Sequence, residues 1–171
     1  AELAMTRRIG EPGDDRVILS NLANSYQKAG RLEDALSMTR DLYAGLKFGG
    51  AEDQETLISA NNYAASLRDL NRFEEARSLL RETIPVAQRV VGEDSEITLQ
   101  LKLKYAQSLY KDDGSTLDDL CEAVATLEET ARIARRVLGG AHPSTTVIEA
   151  SLQNSRATLR ARETPSPAES A

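Results

Sequence analysis

The sequence is poor in the large residues that usually fill a compact single core. None of its 171 residues is tryptophan, and aromatic residues make up 4% of the chain although hydrophobic residues make up 40%. A chain of this length is long enough to bury a sizeable core. Stacked helices can close such a core with alanine, leucine and valine, so the shortage of rings favours a helical array.

Cysteine and histidine are also scarce, with one of each, Cys121 and His142. A single cysteine excludes an intramolecular disulfide and is compatible with a reducing compartment. We expect Cys121 to be a small buried hydrophobic residue in a helix rather than a reactive thiol. No nucleophile–histidine system can be assembled unless His142 reaches Cys121, and no glycine-rich phosphate loop is present. The chain is therefore predicted to be non-enzymatic and to need no cofactor.

Long apolar runs and an excess of positive charge are missing as well. No run approaches the roughly 18 apolar residues of a membrane span, and the N-terminus lacks the basic and apolar regions of a signal peptide. These absences predict no membrane insertion and a cytoplasmic location. The net charge of −6 disfavours nucleic-acid binding, which usually needs a basic patch.

Acidic residues cluster at Asp112–Asp113 and Asp118–Asp119, which raises the question of a metal site. In the first cluster Gly114 comes third, whereas a calcium loop of the EF-hand type needs glycine at its sixth position. Aspartate is mostly exposed in proteins. We therefore expect a solvated acidic loop without metal ligands, inserted in the third helix pair.

What the chain has instead is an internal repeat. One helix ending, with arginine in the last turns and glycine at the exit, recurs at residues 4–10, 86–92 and 133–139. Arginine suits the negative end of the helix dipole, and glycine suits the left-handed conformation that closes many helices. The closing glycines are 82 and 47 residues apart. The first interval therefore holds two units, and the second holds one unit with an insertion.

Helix openings recur in the same register. Each pair has one alanine among large residues in its first helix and one near the start of its second helix. We expect these alanines where two helix backbones approach closely, so that a bulkier residue costs stability. They are Ala23, Ala64 and Ala106 in the first helices, and Ala35, Ala76 and Ala123 in the second helices. Gly30 and Asn71 come just before second helices and are expected to take positive φ in the turn.

These repeats predict an all-α fold, an α–α superhelix of antiparallel helix pairs. Residues 1–13 are the end of a preceding repeat, with a helix over 2–9, and residues 14–162 are the array. The predicted pairs are 15–29 with 31–48, 54–70 with 72–91, and 95–111 with 117–138. A last helix runs from 143 to 162, opened by Pro143, and residues 163–171 form a disordered tail. Pro85 is expected to bend or interrupt its helix, and a start on half a pair suggests a fragment of a longer protein.

The helix–turn–helix unit, with its alanines and its glycine or asparagine turn, resembles the tetratricopeptide repeat. Three segments, 61–64, 72–76 and 138–145, are similar to the longer repeat of the kinesin light chain type. The resemblance implies a right-handed solenoid whose first helices line a concave groove. It also implies a scaffold or adaptor that holds a peptide segment of another protein in that groove.

Polar residues of the first helices are the candidates for holding such a peptide. They are Asn24, Gln27, Asn61, Asn62, Arg68, Lys104, Gln107 and Lys111. Asparagine can both donate to and accept from a peptide backbone. The cations would favour acidic side chains in the ligand, which predicts salt-sensitive binding.

Other functions stay open at this point. Some members of the family grip chaperone tails with a clamp of lysines, asparagines and arginine, and Asn24, Asn62 and Lys104 match it. Ser20 and Gln100 stand where its two other cations would be, which disfavours that ligand. The chain is alternatively a structural subunit that docks through convex or end surfaces, or a regulatory repeat segment of a larger multidomain protein or complex.

Overall fold

The computed structural model describes residues 14–49 and 52–164, and seven α-helices and no strands lie within these two ranges. The helices are α1 (Asp14–Lys28), α2 (Leu32–Phe48), α3 (Gln54–Asp69), α4 (Phe73–Val90), α5 (Glu96–Tyr110), α6 (Leu117–Val137) and α7 (Pro143–Glu163). Each helix begins and ends within one residue of a helix expected from the sequence. The expected helix over 2–9 and the tail from residue 165 lie outside the described residues.

The helices form antiparallel pairs that stack side by side. α1 packs against α2, α3 against α4 and α5 against α6, and each second helix also packs against the first helix of the next unit. The first helices contact one another directly, α1 with α3, α3 with α5 and α5 with α7. This arrangement is an α–α superhelix, and the predicted all-α fold class is confirmed.

The turns inside the first two pairs have the same backbone geometry. Gly30 has φ +75° and Asn71 has φ +57°, as the sequence predicts. In both turns the next residue donates its N–H across the helix end, Arg31 to the Tyr26 carbonyl and Arg72 to the Leu67 carbonyl, each over 2.9 Å. This pattern is the glycine-type helix ending, and asparagine is the other residue that tolerates its positive φ.

The repeated alanines lie at close helix contacts. All six are buried, with at most 2% of their surface exposed. The largest cluster of buried side chains is centred on α5, in which every residue from 101 to 110 is buried. The core therefore follows the row of helices, and α5 lies in the middle of it.

Two expectations about single residues are corrected, an interruption at Pro85 and the burial of Cys121, while a bend at Pro85 stays a prediction. α4 runs without interruption through Pro85, which lies on its exposed side. The proline removes the N–H that would reach the carbonyl of Arg81, also an exposed residue, so water can satisfy that carbonyl. Cys121 is exposed rather than buried. Leu120, Ala123 and Leu127 of the same helix face the core, and one residue along from Leu120 the helix has turned by about 100°.

Within the described ranges, no helix is long and apolar enough to cross a membrane.

Candidate functional site on the inner face

The first helices α1, α3, α5 and α7 lie in one row, and we call the side of this row that faces away from the second helices the inner face. α5 contributes little to it, because residues 101–110 are all buried. On α3, the residues at spacings of three and four are Ile58, Asn61, Asn62 and Ala65, which share one side of the helix. They are exposed or half-buried, whereas Ala60, Ala64 and Leu67 on the opposite side are buried. The inner face is therefore a mixed polar and apolar surface.

Three of the predicted site residues are joined in a chain of hydrogen bonds across the inner face. Gln27 Nε2 donates to Asp69 Oδ2 over 2.9 Å, and Arg68 Nη2 donates to the other oxygen of Asp69 over 3.0 Å. Arg68 also donates to Gln107 Oε1, and Gln107 Nε2 donates to Ser151 Oγ over 3.0 Å. This cross-helix ladder connects α1, α3, α5 and α7, so it fixes the spacing of the first helices.

Lys104 lies beneath this surface rather than on it. Only 9% of the residue is exposed, and its Nζ has Gln100 Oε1 at 3.5 Å. Burial, and then the nearby positive charge of Arg68, lower the pKa of Lys104 to about 8, while Asp69 acts in the opposite direction. Lys104 therefore contributes positive potential to the inner face and makes no direct contact with a ligand lying on it.

The other four predicted site residues are available for a ligand. Asn24 and Lys111 are exposed, and Asn61 and Asn62 are half-buried. None of the four side chains has a hydrogen-bond or ion-pair partner in the described part of the chain, and the Oδ1 atom of Asn61 is buried without one. The structure thus divides the eight predicted residues into a group that holds helices together, the buried Lys104, and a group that is unpartnered.

The sequence analysis missed the apolar part of the inner face. Ile58 is 41% exposed on α3, and Val17 and Val147 are exposed on α1 and α7. Val17 comes five residues before Leu22, and Ile58 comes five residues before Tyr63. Leu22 and Tyr63 directly precede the repeated alanines Ala23 and Ala64. This shared register was visible in the sequence and could have identified these exposed apolar residues.

The comparisons with known proteins agree with this architecture. Residues 14–89, which contain the first two helix pairs, match the family model of the tetratricopeptide repeat. Residues 14–89 are tetratricopeptide repeats. The predicted family is confirmed, and repeats of this family generally mediate contacts between proteins and are typically non-enzymatic.

Solved structures extend the likeness over nearly the whole chain. BtubC (BKLC) from P. vanneervenii is similar with a TM-score of 0.65 and 22% identity, over 96% of this chain and 71% of that one. A kinesin light chain-type protein of nearly identical TPR-like repeats from Podosopora anserina is similar with a TM-score of 0.54 and 17% identity, over 91% of each chain. At these identities the likeness shows the fold. No curated protein matches the chain.

The inserted loop of the helical array, residues 111–116, is fastened at both sides. Asp112 forms an ion pair with Arg77 of α4 at 3.0 Å. Arg162 of α7 donates to the carbonyls of Asp113 and Ser115 over 2.8 and 3.3 Å. Among the described residues there is no group of three or more histidine, cysteine or acidic side chains that could hold a metal. The loop is held by the array, and the Asp112 carboxylate serves a structural contact.

His142 and Cys121 lie at opposite ends of α6. His142 Nδ1 accepts the backbone N–H of Ser144 over 3.2 Å and so caps the start of α7. The helical rise alone puts about 24 Å between Cys121 and Val137, where α6 ends. The two side chains therefore form no nucleophile–base pair.

Proposed function

We propose that this tetratricopeptide array is a non-enzymatic scaffold or adaptor that holds a peptide segment of a partner protein on its inner face. The observation that carries the proposal is the row of unpartnered amides on that face. Asn24, Asn61 and Asn62 have no hydrogen-bond partner among the described residues, although Asn61 and Asn62 are half-buried. Buried polar groups are normally paired, so the backbone of a bound peptide would supply the hydrogen-bond partners that these amides lack.

The chemistry of these side chains suits an extended peptide. Each asparagine amide can donate to a peptide carbonyl and accept from a peptide N–H. Ile58 of α3 and Val147 of α7 are exposed and give apolar contacts for ligand side chains. Such a surface contacts the peptide backbone at several positions and discriminates between ligand side chains at only a few positions. This suits an adaptor.

The charges of the inner face favour an acidic ligand. Lys111 is exposed and has no side-chain partner among the described residues, and the side chain of Arg68 is 22% exposed. Lys104 adds positive potential from below. Because the contacts with solvent-exposed cations are screened by salt, the ligand should bind more weakly as ionic strength rises.

The test uses a peptide selected by the protein itself. A random-peptide display library is selected on the wild-type chain, and the affinity of a synthetic hit is measured by fluorescence anisotropy. We expect the double variant Asn24→Ala, Asn62→Ala to weaken binding about tenfold or more, because each lost amide removes roughly 1 kcal/mol. Ser78→Ala is the matched control, since Ser78 is an exposed small polar residue on a second helix.

Three outcomes are informative. Equal affinity of the double variant and the Ser78→Ala control would exclude the inner face as the peptide site. Loss of affinity in the double variant with no effect of salt or of Lys111→Glu would keep backbone capture and remove the preference for acidic ligands. Intact folding of each variant is checked by circular dichroism.

A structural subunit is the second candidate function, and one observation favours it. Phe48 at the end of α2 is 95% exposed, and Val90 and Val137 are exposed at the ends of α4 and α6. Apolar residues on the ends of all three second helices would suit docking along that edge. Selected peptides that lose affinity on Phe48→Ser, and not in the inner-face variant, would support this function.

A further inference from the structure

Positive charge is concentrated in residues 130–163, the C-terminal part of α6 together with α7, whereas residues 117–129 of α6 carry five acidic and no basic residues. Residues 130–163 carry six arginines and two glutamates, a net charge of +4, whereas the whole chain carries −6. Four of these arginines line one open pocket of about 730 Å³ between α6 and α7. The residues of this arginine pocket are Arg132, Arg135, Arg136, Arg156, Glu128, Ala131 and Leu152.

The arginine pocket has an apolar wall and a charged rim. Ala131 is buried and Leu152 is half-buried against the main core. The rim arginines pair with acidic residues of the chain, Arg135 with Glu149, Arg136 with Asp94 at 2.9 Å and Arg156 with Glu128 at 2.6 Å. These pairs are about half exposed, and pairs of this kind exchange partners at little cost.

Arg132 is different from the other three arginines. It is exposed, and it has no ion-pair or hydrogen-bond partner in the described ranges. The other pocket residues are arginines, the apolar Ala131 and Leu152, and Glu128, whose carboxylate pairs with Arg156. A carboxylate brought by another molecule would meet an unpaired guanidinium here, and arginine binds carboxylates in two-point geometry.

The first helix pair of the same chain shows which residue pairs with the position equivalent to Arg135. Counted from the repeated alanines Ala35 and Ala123, Lys47 occupies the position of Arg135. Lys47 forms an ion pair at 3.4 Å with Glu82, which the next second helix, α4, presents to it. Where the array continues, a glutamate of the following second helix thus pairs with the cation at this position.

We propose that the arginine pocket binds an acidic amphipathic helix of a partner protein. One apolar side chain of that helix packs on Ala131 and Leu152, and carboxylates one turn away on each side pair with Arg132 and Arg156. The carboxylates of an acidic helix complement the arginines of the pocket, and its apolar side chain complements the wall of Ala131 and Leu152. An isolated phosphate or a nucleic-acid strand would leave that wall exposed to water.

The probe is a synthetic helical peptide, crosslinked to hold its helix, with a central leucine flanked by glutamates one turn before and after. A second peptide with glutamine in place of each glutamate is the control. Binding to the 171-residue chain is measured by fluorescence anisotropy and mapped by amide chemical shifts. We expect measurable binding of the glutamate peptide, shifts in α6 and α7, and at least about tenfold weaker binding of the glutamine peptide.

A pair of variants separates the pocket from general attraction to positive charge. Arg132→Glu should weaken the glutamate peptide about tenfold or more. Arg160→Glu should leave its affinity within about twofold at moderate salt, because Arg160 is exposed in the same basic region and does not line the pocket. Both arginines lack partners in the described part of the chain, so neither substitution should disturb the fold.

The proposal is overturned by any of three results. These are equal binding of the two peptides, equal losses in the two variants, or shifts confined to α1, α3 and α5. Self-association that Arg132→Glu abolishes in analytical ultracentrifugation would make a second copy of the chain the occupant and also contradict it. Because the inner-face variants leave α6 untouched, failure here is independent of the proposed peptide site.

Discussion

At the scale of single residues, Lys104 has a charge that the surrounding structure opposes. Its pKa falls from the ordinary 10.5 to about 8 because burial disfavours the ammonium form and Arg68 repels it. Between these two values the unfolded chain binds more protons than the folded chain, so stability rises with pH across this window. Below it, the buried charge destabilises the fold.

Replacing Lys104 by methionine should therefore stabilise the protein at pH 7, by about 1–3 kcal/mol. The gain should shrink as pH rises toward 10, where the wild-type lysine is neutral in the folded state. Urea unfolding of both proteins at pH 7 and pH 9.5 measures the two differences. Lys111→Met is the control, since Lys111 is exposed. A gain that is the same at both pH values would contradict this account.

Residues also differ in how well the sequence predicts them. Gly30 and Asn71 could be assigned positive φ because the requirement is local to a helix ending. Lys104 and Gln107 could not be recognised as buried, because their helix has polar residues on several sides and a low amphipathic contrast. Only the contacts of α5 with α3, α4, α6 and α7 show that no side of it remains open. The same limit applies to Arg68, whose predicted ligand role is partly taken by Gln107 and Asp69.

At the scale of elements, helix starts differ in how firmly they are capped. The Thr116 hydroxyl of α6 accepts the N–H of Asp119, and the Asp119 carboxylate accepts the N–H of Thr116 over 2.8 Å. These bonds from Thr116 lower the pKa of Asp119. The side chain of Ser95, at the same position of α5, makes no capping hydrogen bond.

Thr116→Ala should lower the free energy of unfolding by about 1 kcal/mol, because it removes one partner of a capping box. Ser95→Ala should change it by less than about 0.5 kcal/mol. Urea denaturation midpoints of the two variants give the comparison. Equal effects would mean that the capping box contributes nothing beyond the residue type. Thr116 is exposed, so the substitution creates no cavity that could confuse the result.

Elements were the level at which sequence reasoning worked best. Turn residues, capping residues and the spacing of apolar positions act within one or two helical turns, and together they define where helices begin and end. Pro85 was misjudged because its effect depends on which side of α4 faces water. Cys121 was misjudged because a small residue in a helical pattern carries no mark of its orientation. The division into a preceding repeat, an array and a tail remains a prediction.

At the scale of the whole molecule, the described helices do not share stability evenly. α5 packs against α3, α4, α6 and α7, whereas α1 packs chiefly against α2. In a stacked array each unit is stabilised mainly by its neighbours. Opening α5 therefore requires disrupting the middle of the array, and opening α1 does not.

Native-state hydrogen exchange should show this gradient. We expect the amides of α5 to exchange only through global unfolding, and those of α1 to exchange through local opening of lower free energy. Mass spectrometry of exchanged peptides, or amide resonances, would give the opening free energy of each helix. Equal protection of α1 and α5 would show that the array unfolds as one cooperative block.

The uneven distribution of charge along the array also acts before any contact forms. Residues 130–163 carry a net charge of +4 in a chain of net charge −6. Within roughly 8–10 Å, the Debye length at physiological salt, the arginines of this segment attract an approaching acidic protein. Such attraction shortens the diffusional search for a productive encounter. The asymmetry thus sets how fast an acidic partner arrives, separately from how long it stays.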